Sequence, residues 1–325
     1  MKKMMRATAL MLTAAMMMTG CGGGSDDAAS SDAAYKVGIV QQMEHAALDA
    51  ATKGFQDKLT ELLGDDVTFD YQNAQGEQTN CTTIATKFVS DGCDLIMANA
   101  TTALQSAYAA TADIPIVGTS VTDYVTAGVV DSNEAPGRNV TGVSDLSSID
   151  AQIDVLLQFC SEDAKVAVVY CSSEPNSIYQ AELAEKYLQS LNRDYAVYTV
   201  ADSNEIQAVM TTAVGECDAV YIPTDNTLAN NMEIVKNVTV PAGVPSFGGA
   251  EQMCAEGALS TLSISYYDLG VRAGEMAYEI LVNDADISSM PITTADAVTK
   301  KYDADRCAKL NVTIPDGYVA IEKAE

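Results

Sequence analysis

The chain has 325 residues, 48% of them hydrophobic, with 18 basic and 45 acidic side chains and a net charge of −27. That length allows two domains of ordinary size, and that apolar content excludes a disordered chain. The acidity argues against a phosphate-backbone partner, which needs clustered Lys and Arg, so no nucleic-acid role is expected.

The N-terminus reads as an address. Met1-Lys2-Lys3-Met4-Met5-Arg6 is a basic start, and Ala7 to Met18 is an apolar run too short to span a bilayer comfortably. Met18-Thr19-Gly20-Cys21 follows. It resembles a bacterial lipobox, with Met18 where Leu is usual. The resemblance implies a signal peptide over residues 1–20, cleavage before Cys21, and lipid on the Cys21 thiol. Residues 22–34 contain only Gly, Ser, Asp and Ala, so 21–34 is expected to be a lipid anchor and flexible tether. The expected location is the extracytoplasmic face of the cell membrane, with the body held there through Cys21.

From Tyr35 onward, short β-rich runs alternate with amphipathic helices. Lys36–Val40 reads as a strand, and Leu48, Ala51, Phe55, Leu59 and Leu62 then form one apolar helical stripe ended by Gly64. Val67–Tyr71 is the next strand, and Cys81, Ile84, Ala85 and Phe88 mark the next helix. Strands follow at Leu95–Ala98 and Ile114–Gly118. The pattern restarts at the strand Lys165–Tyr170, with a helix from Ser177 to Leu191 and a strand at Tyr195–Thr199. A helix over Asn204–Val214 and strands at Ala219–Ile222 and Val244–Gly248 complete it, the last echoing Ile114–Gly118 down to its proline.

The echo is closest where residues 93–104 read CDLIMANATTAL and residues 217–228 read CDAVYIPTDNTL, which pairs Thr101 with Asp225 and Thr102 with Asn226. The expected fold is α/β: two doubly wound parallel-sheet lobes with a ligand cleft between them. Residues 35–145 plus 267–294 are expected to form lobe 1, and 146–266 plus 295–325 lobe 2.

Eight cysteines occur, at 21, 81, 93, 160, 171, 217, 254 and 307. With Cys21 lipidated, an odd number remains, so at least one is unpaired. None is spaced C-x-x-C and His45 is the only histidine, so neither a metal nor a cofactor is expected.

In parallel sheets of this kind, ligands bind outside the carboxyl ends of the strands. Polar clusters gather there: Gln41–His45, Asn99–Thr102, Thr119–Asp123, Ser172–Ser177, Thr224–Asn226 and Gly249–Glu251. Helix capping accounts for some of them. The clusters carry Glu44, Asp123, Glu174, Asp225 and Glu251 but no Lys or Arg, which favours a ligand bearing a positive amine. An α-amino acid fits. Asp225 is the expected partner of its ammonium, and Thr101, Thr119 and Ser177 the candidates for its carboxylate, with helix N-termini. Gln75, Asn176, Thr224 and Asn226 could fix orientation. For each residue alone, turn or cap chemistry is the plainer reading.

The stretches "EHAALDAATKGF", "DYQNAQGEQTN", "IATKFVSDGCDLI", "IPIVGTSVTD", "GRNVTGVSDL", "PNS", "YIPTDNT" and "YYDLG" together resemble the ABC-transporter substrate-binding proteins of the tryptophan-binding type, over residues 36–282. The resemblance implies the type I periplasmic-binding fold. Its crossovers between lobes would fall near Ser144–Ser147, Ser265–Asp268 and Thr293–Ala297. It also implies an aromatic or apolar ligand side chain (tryptophan, tyrosine or phenylalanine) and a cleft-lining place for His45. Glu44 and Asp123 are candidates as acids of the polar clusters, and Tyr266 and Tyr267, at a crossover, either pack against a ligand ring or fill the hinge. Permease and ATPase partners and a monomer are expected. Two places depart from the pattern, and both are expected beside the cleft. Gly248-Gly249-Ala250-Glu251-Gln252 replaces a more acidic run, and Tyr124 stands where proline is usual.

An enzyme is not expected: the chain has no G-x-S-x-G, no zinc spacing and no Walker-type run, and His45 with Glu44 is the one available acid–base pair. A ligand-presenting sensor, or an importer subunit for another amine-bearing or nucleoside-like ligand, remains open. A cytoplasmic regulator of the LacI type is disfavoured by the signal peptide and the missing helix-turn-helix.

Overall fold

Two sheets, each with its own helices, carry the chain. The structure, a computed structural model, describes residues 33–295 and 297–322. The expected signal peptide, Cys21 and most of the tether lie outside the described residues.

The first half runs β1 (Tyr35–Gln41), α1 (Ala46–Leu63), β2 (Val67–Asn73), α2 (Gln78–Ser90), β3 (Leu95–Asn99), α3 (Thr101–Ala110), β4 (Ile116–Val121) and β5 (Val140–Ser144). The second runs α4 (Ile149–Leu157), β6 (Val166–Cys171), α5 (Pro175–Ser190), β7 (Tyr195–Val200), α6 (Ile206–Glu216), β8 (Ala219–Ile222), α7 (Asn226–Ala229), α8 (Met232–Ala242), β9 (Ser246–Gly248), α9 (Glu251–Glu256) and β10 (Ser260–Ser263). The chain closes with α10 (Tyr266–Val282), β11 (Thr293–Thr294), β12 (Thr299–Tyr302), α11 (Ala304–Leu310) and β13 (Val319–Ala320).

The sheets are ordered β11-β5-β4-β3-β1-β2 and β13-β12-β10-β9-β8-β6-β7. Their first five strands therefore follow one plan, with strand order reversing between β1 and β3 and between β6 and β8. All pairings are parallel except β10 with β12. The chain leaves the first sheet after β5. It returns with α10, which packs on α1, and crosses again between β11 and β12.

The central strands β3 and β4 are wholly buried, as strands covered by helices on both faces must be. Pro115 and Pro245, the shared prolines, precede β4 and β9, where no ladder N–H is needed. Their carbonyls accept from Ile96 at 2.9 Å and Val220 at 3.0 Å, so each pins the neighbouring strand in the same way. In α1, Leu48, Ala51, Phe55 and Leu59 are buried as the periodicity predicts, but Leu62 is exposed. Glycine sets the α1–α10 approach: a Cβ on Gly54 would strike the Tyr267 carbonyl, and one on Gly270 the Ala51 carbonyl. All seven described cysteines are free. No described helix is long and apolar enough to cross a membrane.

Candidate ligand-binding site

The carboxyl ends of both sheets face one seam, and the polar clusters meet there unevenly. Gln41 and Asn99 are absorbed in fastening α1 to the first sheet. Gln41 donates to Asp49 at 2.6 Å and accepts from Thr52 at 2.6 Å, while Asn99 donates to the Leu48 carbonyl at 2.8 Å.

At the seam, His45 and Thr122 from the first lobe reach side chains of the second. His45 Nε2 lies 3.1 Å from Asn226 Oδ1, and His45 Nδ1 lies 3.0 Å from Gln252 Nε2. Asn226 Nδ2 donates to Glu174 at 2.7 Å, which fixes its amide, so its Oδ1 must accept. His45 is therefore the neutral tautomer protonated at Nε2, accepting from Gln252 at Nδ1. Burial lowers its pKa, opposed by Asn226 and by the charges of Asp49 and Glu174. Gln180 Nε2 donates to Thr122 Oγ1 at 3.3 Å as a further bridge.

Between these bridges lies a cavity of about 20 Å³, lined by His45, Leu48, Ser120, Asp145, Asn176, Asp225 and Tyr266 among others. That is room for about one water molecule, so an amino acid enters only with the lobes apart. Wider grooves of about 690 Å³ and 480 Å³ flank it.

Asp225 is buried and caps α7: Oδ1 accepts from Leu228 N at 2.8 Å and Oδ2 from Cys171 N at 2.6 Å. Burial, then the adjacent Glu174 charge, push its carboxyl well above the usual range, opposed by those two amides and the Ser177 hydroxyl. Glu174 spans the same loop. Its Oε1 accepts from Thr227 N at 2.8 Å and Thr227 Oγ1 at 2.7 Å, and its Oε2 from Asn226 N at 3.0 Å. Thr224 donates to Gln180 Oε1 at 2.6 Å through its hydroxyl.

The cavity thus gathers His45, Asn176, Thr224, Asp225, Asn226 and Tyr266 of the residues singled out in the sequence. Others lie elsewhere. Glu44 is exposed in the loop before α1, and Gln75 is exposed at the rim of the 480 Å³ groove. Asp123 caps a turn, accepting from Thr126 N at 2.6 Å. Thr101, Thr119 and Ser177 are buried beside the seam without lining the cavity. Glu251 is held by Lys301 at 2.7 Å and Ser263 at 2.5 Å. Tyr124, expected beside the cleft, is instead a core residue: fully buried, its hydroxyl donates to the Val143 carbonyl at 3.2 Å, in the space that Gly118 and Gly142 leave. Of the departing run, Ala250 and Gln252 do reach the cavity.

Sequence reasoning missed Asp145 as a site residue. It follows β5, anchored by its N–H to the Val121 carbonyl at 3.2 Å, and is buried against the cavity. Tyr266, at the start of α10, donates to Asp145 Oδ2 at 2.9 Å. Asp145 Oδ1 has no hydrogen-bond partner, nor do Ser120 Oγ and Asn176 Oδ1, which line the same cavity. Burial pushes the Asp145 carboxyl up to about 6; Tyr266 opposes this, as does the Thr122 hydroxyl, which is near but makes no regular hydrogen bond to it. The sequence offers little signal: Thr, Gly and Ser in Val140–Ser144 mask the strand before it, and only the expected crossover near Ser144–Ser147 marks the place.

Two mostly parallel α/β lobes, crossed by the chain and meeting at a polar seam, define a two-lobed solute-binding protein. Residues 36–323 match the family of the ABC transporter substrate binding protein, and the chain belongs to that family. It is 39% identical over 263 residues to a tyrosine-binding protein of Clostridioides difficile, covering 80% of this chain and 76% of that one. Among solved structures, it is similar to an ABC domain from Streptococcus pneumonia in complex with L-Trp, at 30% identity and TM-score 0.83, over 88% of this chain and 99% of that one. It also resembles the ligand-free, open structure of a substrate-binding protein with adhesive properties from Clostridium difficile, at 35% identity and TM-score 0.70, over 89% of this chain and 100% of that one. A substrate-binding protein of an ABC transporter works on the extracytoplasmic side, delivering solute to the membrane components.

Proposed function

We propose that the protein takes an aromatic amino acid (tryptophan, tyrosine or phenylalanine) between its lobes and hands it unchanged to an ABC importer. One observation carries this reading: a cavity at the lobe seam where buried polar atoms from both lobes lack protein partners. Native proteins rarely leave such atoms unmet without a ligand or water to meet them. Leu48, Ala229, Ala250, Met253 and the Tyr266 ring supply an apolar wall for a side chain. The tyrosine-binding relative and the L-Trp complex support the same class of ligand. The higher TM-score against the L-Trp complex than against the open protein accords with apposed lobes.

The only histidine is held neutral by hydrogen bonds to two side-chain amides, Asn226 and Gln252, rather than to a hydroxyl or thiol, which supports binding without turnover. The lipid on Cys21, the tether over 21–34 and a monomeric state belong to this proposal, resting on the sequence. So do the lobe boundaries, supported by the two sheets.

The test is thermal melting of the purified protein, unfolded and refolded to strip carried-over ligand, against the twenty amino acids, nucleosides and sugars. A ligand at a thousand times its Kd adds about 4 kcal/mol of stability, an unmistakable shift. Shifts confined to aromatic amino acids are expected. A response to nucleosides or sugars alone would reject the ligand class.

A further inference from the structure

Resting on that reading, we infer that Asp145 is the ammonium acceptor of the site, with Asn176 completing the grip from the opposite lobe. Elimination carries much of the argument. Asp225 has both carboxylate oxygens occupied by backbone amides, and Glu174 has both occupied by α7 and its threonine hydroxyl. Glu251 is paired with Lys301, and Asp123 caps a turn outside the cavity. Asp145 alone among these acids is buried, lines the cavity and keeps one oxygen without a partner.

Its other oxygen is fixed by Tyr266, so the unpartnered one is held in place rather than free to turn. Asn176 supplies a second acceptor. Its Nδ2 is committed to acceptors, the Thr224 carbonyl at 3.1 Å and Glu174 at 3.3 Å, so its Oδ1 is the atom left over at the cavity. Two unpartnered acceptors, one a carboxylate, demand a donor-rich cation. Ser120 Oγ, which can donate, is the complementary group for the ligand carboxylate.

The geometry also couples binding to closure. Asp145 sits where the chain leaves the first lobe, Tyr266 where it returns, and Asn176 in the first turn of α5 in the second. An ammonium held by both Asp145 and Asn176 completes its shell only when the lobes meet.

The experiment compares L-tyrosine with 3-(4-hydroxyphenyl)propionate, and L-tryptophan with indole-3-propionate, by calorimetry on the wild-type protein, Asp145→Asn and Asp225→Asn. The wild type is expected to prefer the amine-bearing member of a pair. Asp145→Asn should lose at least about thirtyfold in affinity for that member while changing the des-amino acid less than threefold, collapsing the preference. Melting of each variant checks that it is folded, and Asn at 145 can still accept from Tyr266. A preserved preference in Asp145→Asn, or its loss in Asp225→Asn instead, overturns the assignment while leaving the proposed function standing. Equal losses for both members mark Asp145 as merely structural. A wild type that binds neither pair overturns the proposed function itself, and this inference with it.

Discussion

The loops after β3 and β8 close equivalent βα units, yet only the second is held by carboxylates: its own Asp225 and Glu174, which reaches over from the loop after β6. After β8, Asp225 and Glu174 satisfy the amides of Leu228, Cys171, Asn226 and Thr227. After β3, Ala100 takes the cap position with no side-chain cap, its φ is 87°, and the adjacent Thr101 hydroxyl has no partner. Thr119 and Ser120, on the neighbouring strand, also leave hydroxyls unmet, and Ser120 has φ 55°. The second lobe has thus spent its acids on rigidity. The first has rigid backbone but unspent hydroxyls, and the unspent acid, Asp145, lies at its exit. In the loop after β8 an acid at a strand end signals architecture, and unmet polar atoms point to a ligand only where they line the cavity, as those of Ser120, Asp145 and Asn176 do.

The largest expected effect tests that difference directly. Asp225→Ala removes the acceptor of two buried amides, each worth roughly 1–3 kcal/mol when left unsatisfied. Relief of a buried charge beside Glu174 offsets part of this. Denaturant unfolding should show a net loss of about 2–4 kcal/mol, with Thr101→Ala, its positional counterpart, changing stability by under about 1 kcal/mol. Equal effects would erase the distinction between the loops.

Asp145→Asn is expected to do the opposite of Asp225→Ala. The Asp145 carboxyl is raised to about 6 by burial, so the folded state binds its proton more tightly than the unfolded chain does. Stability is therefore lost as pH rises from the ordinary carboxylate range to about 6, and the full penalty is present at pH 7. Removing the charge should stabilise the unliganded protein by roughly 1–3 kcal/mol at pH 7, with the gain fading toward pH 4. Melting curves at the two pH values would show it. A destabilised variant at pH 7 would mean that the carboxylate is satisfied after all.

What the sequence discloses follows this same divide. The buried strands at Leu95–Asn99 and Ala219–Ile222 are legible because unbroken apolar runs bounded by polar residues have few alternatives. The shared prolines and the CDLIMANATTAL/CDAVYIPTDNTL echo expose the repeat. The strands at Val140–Ser144 and Ser260–Ser263 are not legible, because Thr, Ser and Gly fill buried positions without alternation. Asp145 is hidden with them. Sequence brings Asp225 to the seam but cannot say whether its oxygens face amides or open space; that depends on β6 and α7 meeting in three dimensions. Asp145 looks like any loop acid until burial and a missing partner are seen.

His45 sharpens the comparison from the seam itself. Closed lobes hold it neutral between Asn226 and Gln252 with a lowered pKa; in open lobes, in water, it should titrate near its ordinary 6.5. The closed form then binds fewer protons than the open one. Lowering the pH through 6.5 favours opening, and ligand affinity should fall by up to about tenfold per pH unit until the lowered pKa is reached. The same titration of His45→Gln should show a shallower slope between pH 6.5 and 5, the remainder being protonation of the Asp145 carboxyl near 6. A slope unchanged by the substitution would assign the whole pH response to Asp145 or another group.

The smallest expected effect returns to the loop after β3. Ala100 has φ 87° and ψ 161°, a region that side-chain-bearing residues seldom occupy. Both of its backbone groups are pinned: its N–H donates to the Thr119 carbonyl at 3.0 Å, and its carbonyl accepts from Leu104 N at 3.0 Å. The chain therefore cannot relax without surrendering either the β4 contact or the first turn of α3. Glycine tolerates that conformation, at the cost of greater freedom in the unfolded chain. The two terms oppose each other, and relief of the strained backbone is the larger, so Ala100→Gly should raise stability by about 1 kcal/mol. The counterpart Thr224→Gly should lower it, because Thr224 donates its hydroxyl to Gln180 at 2.6 Å and has no positive φ to relieve. Opposite signs at matched positions would show that the first lobe holds strain where the second holds hydrogen bonds, and matching signs would show that the two loops differ in sequence alone.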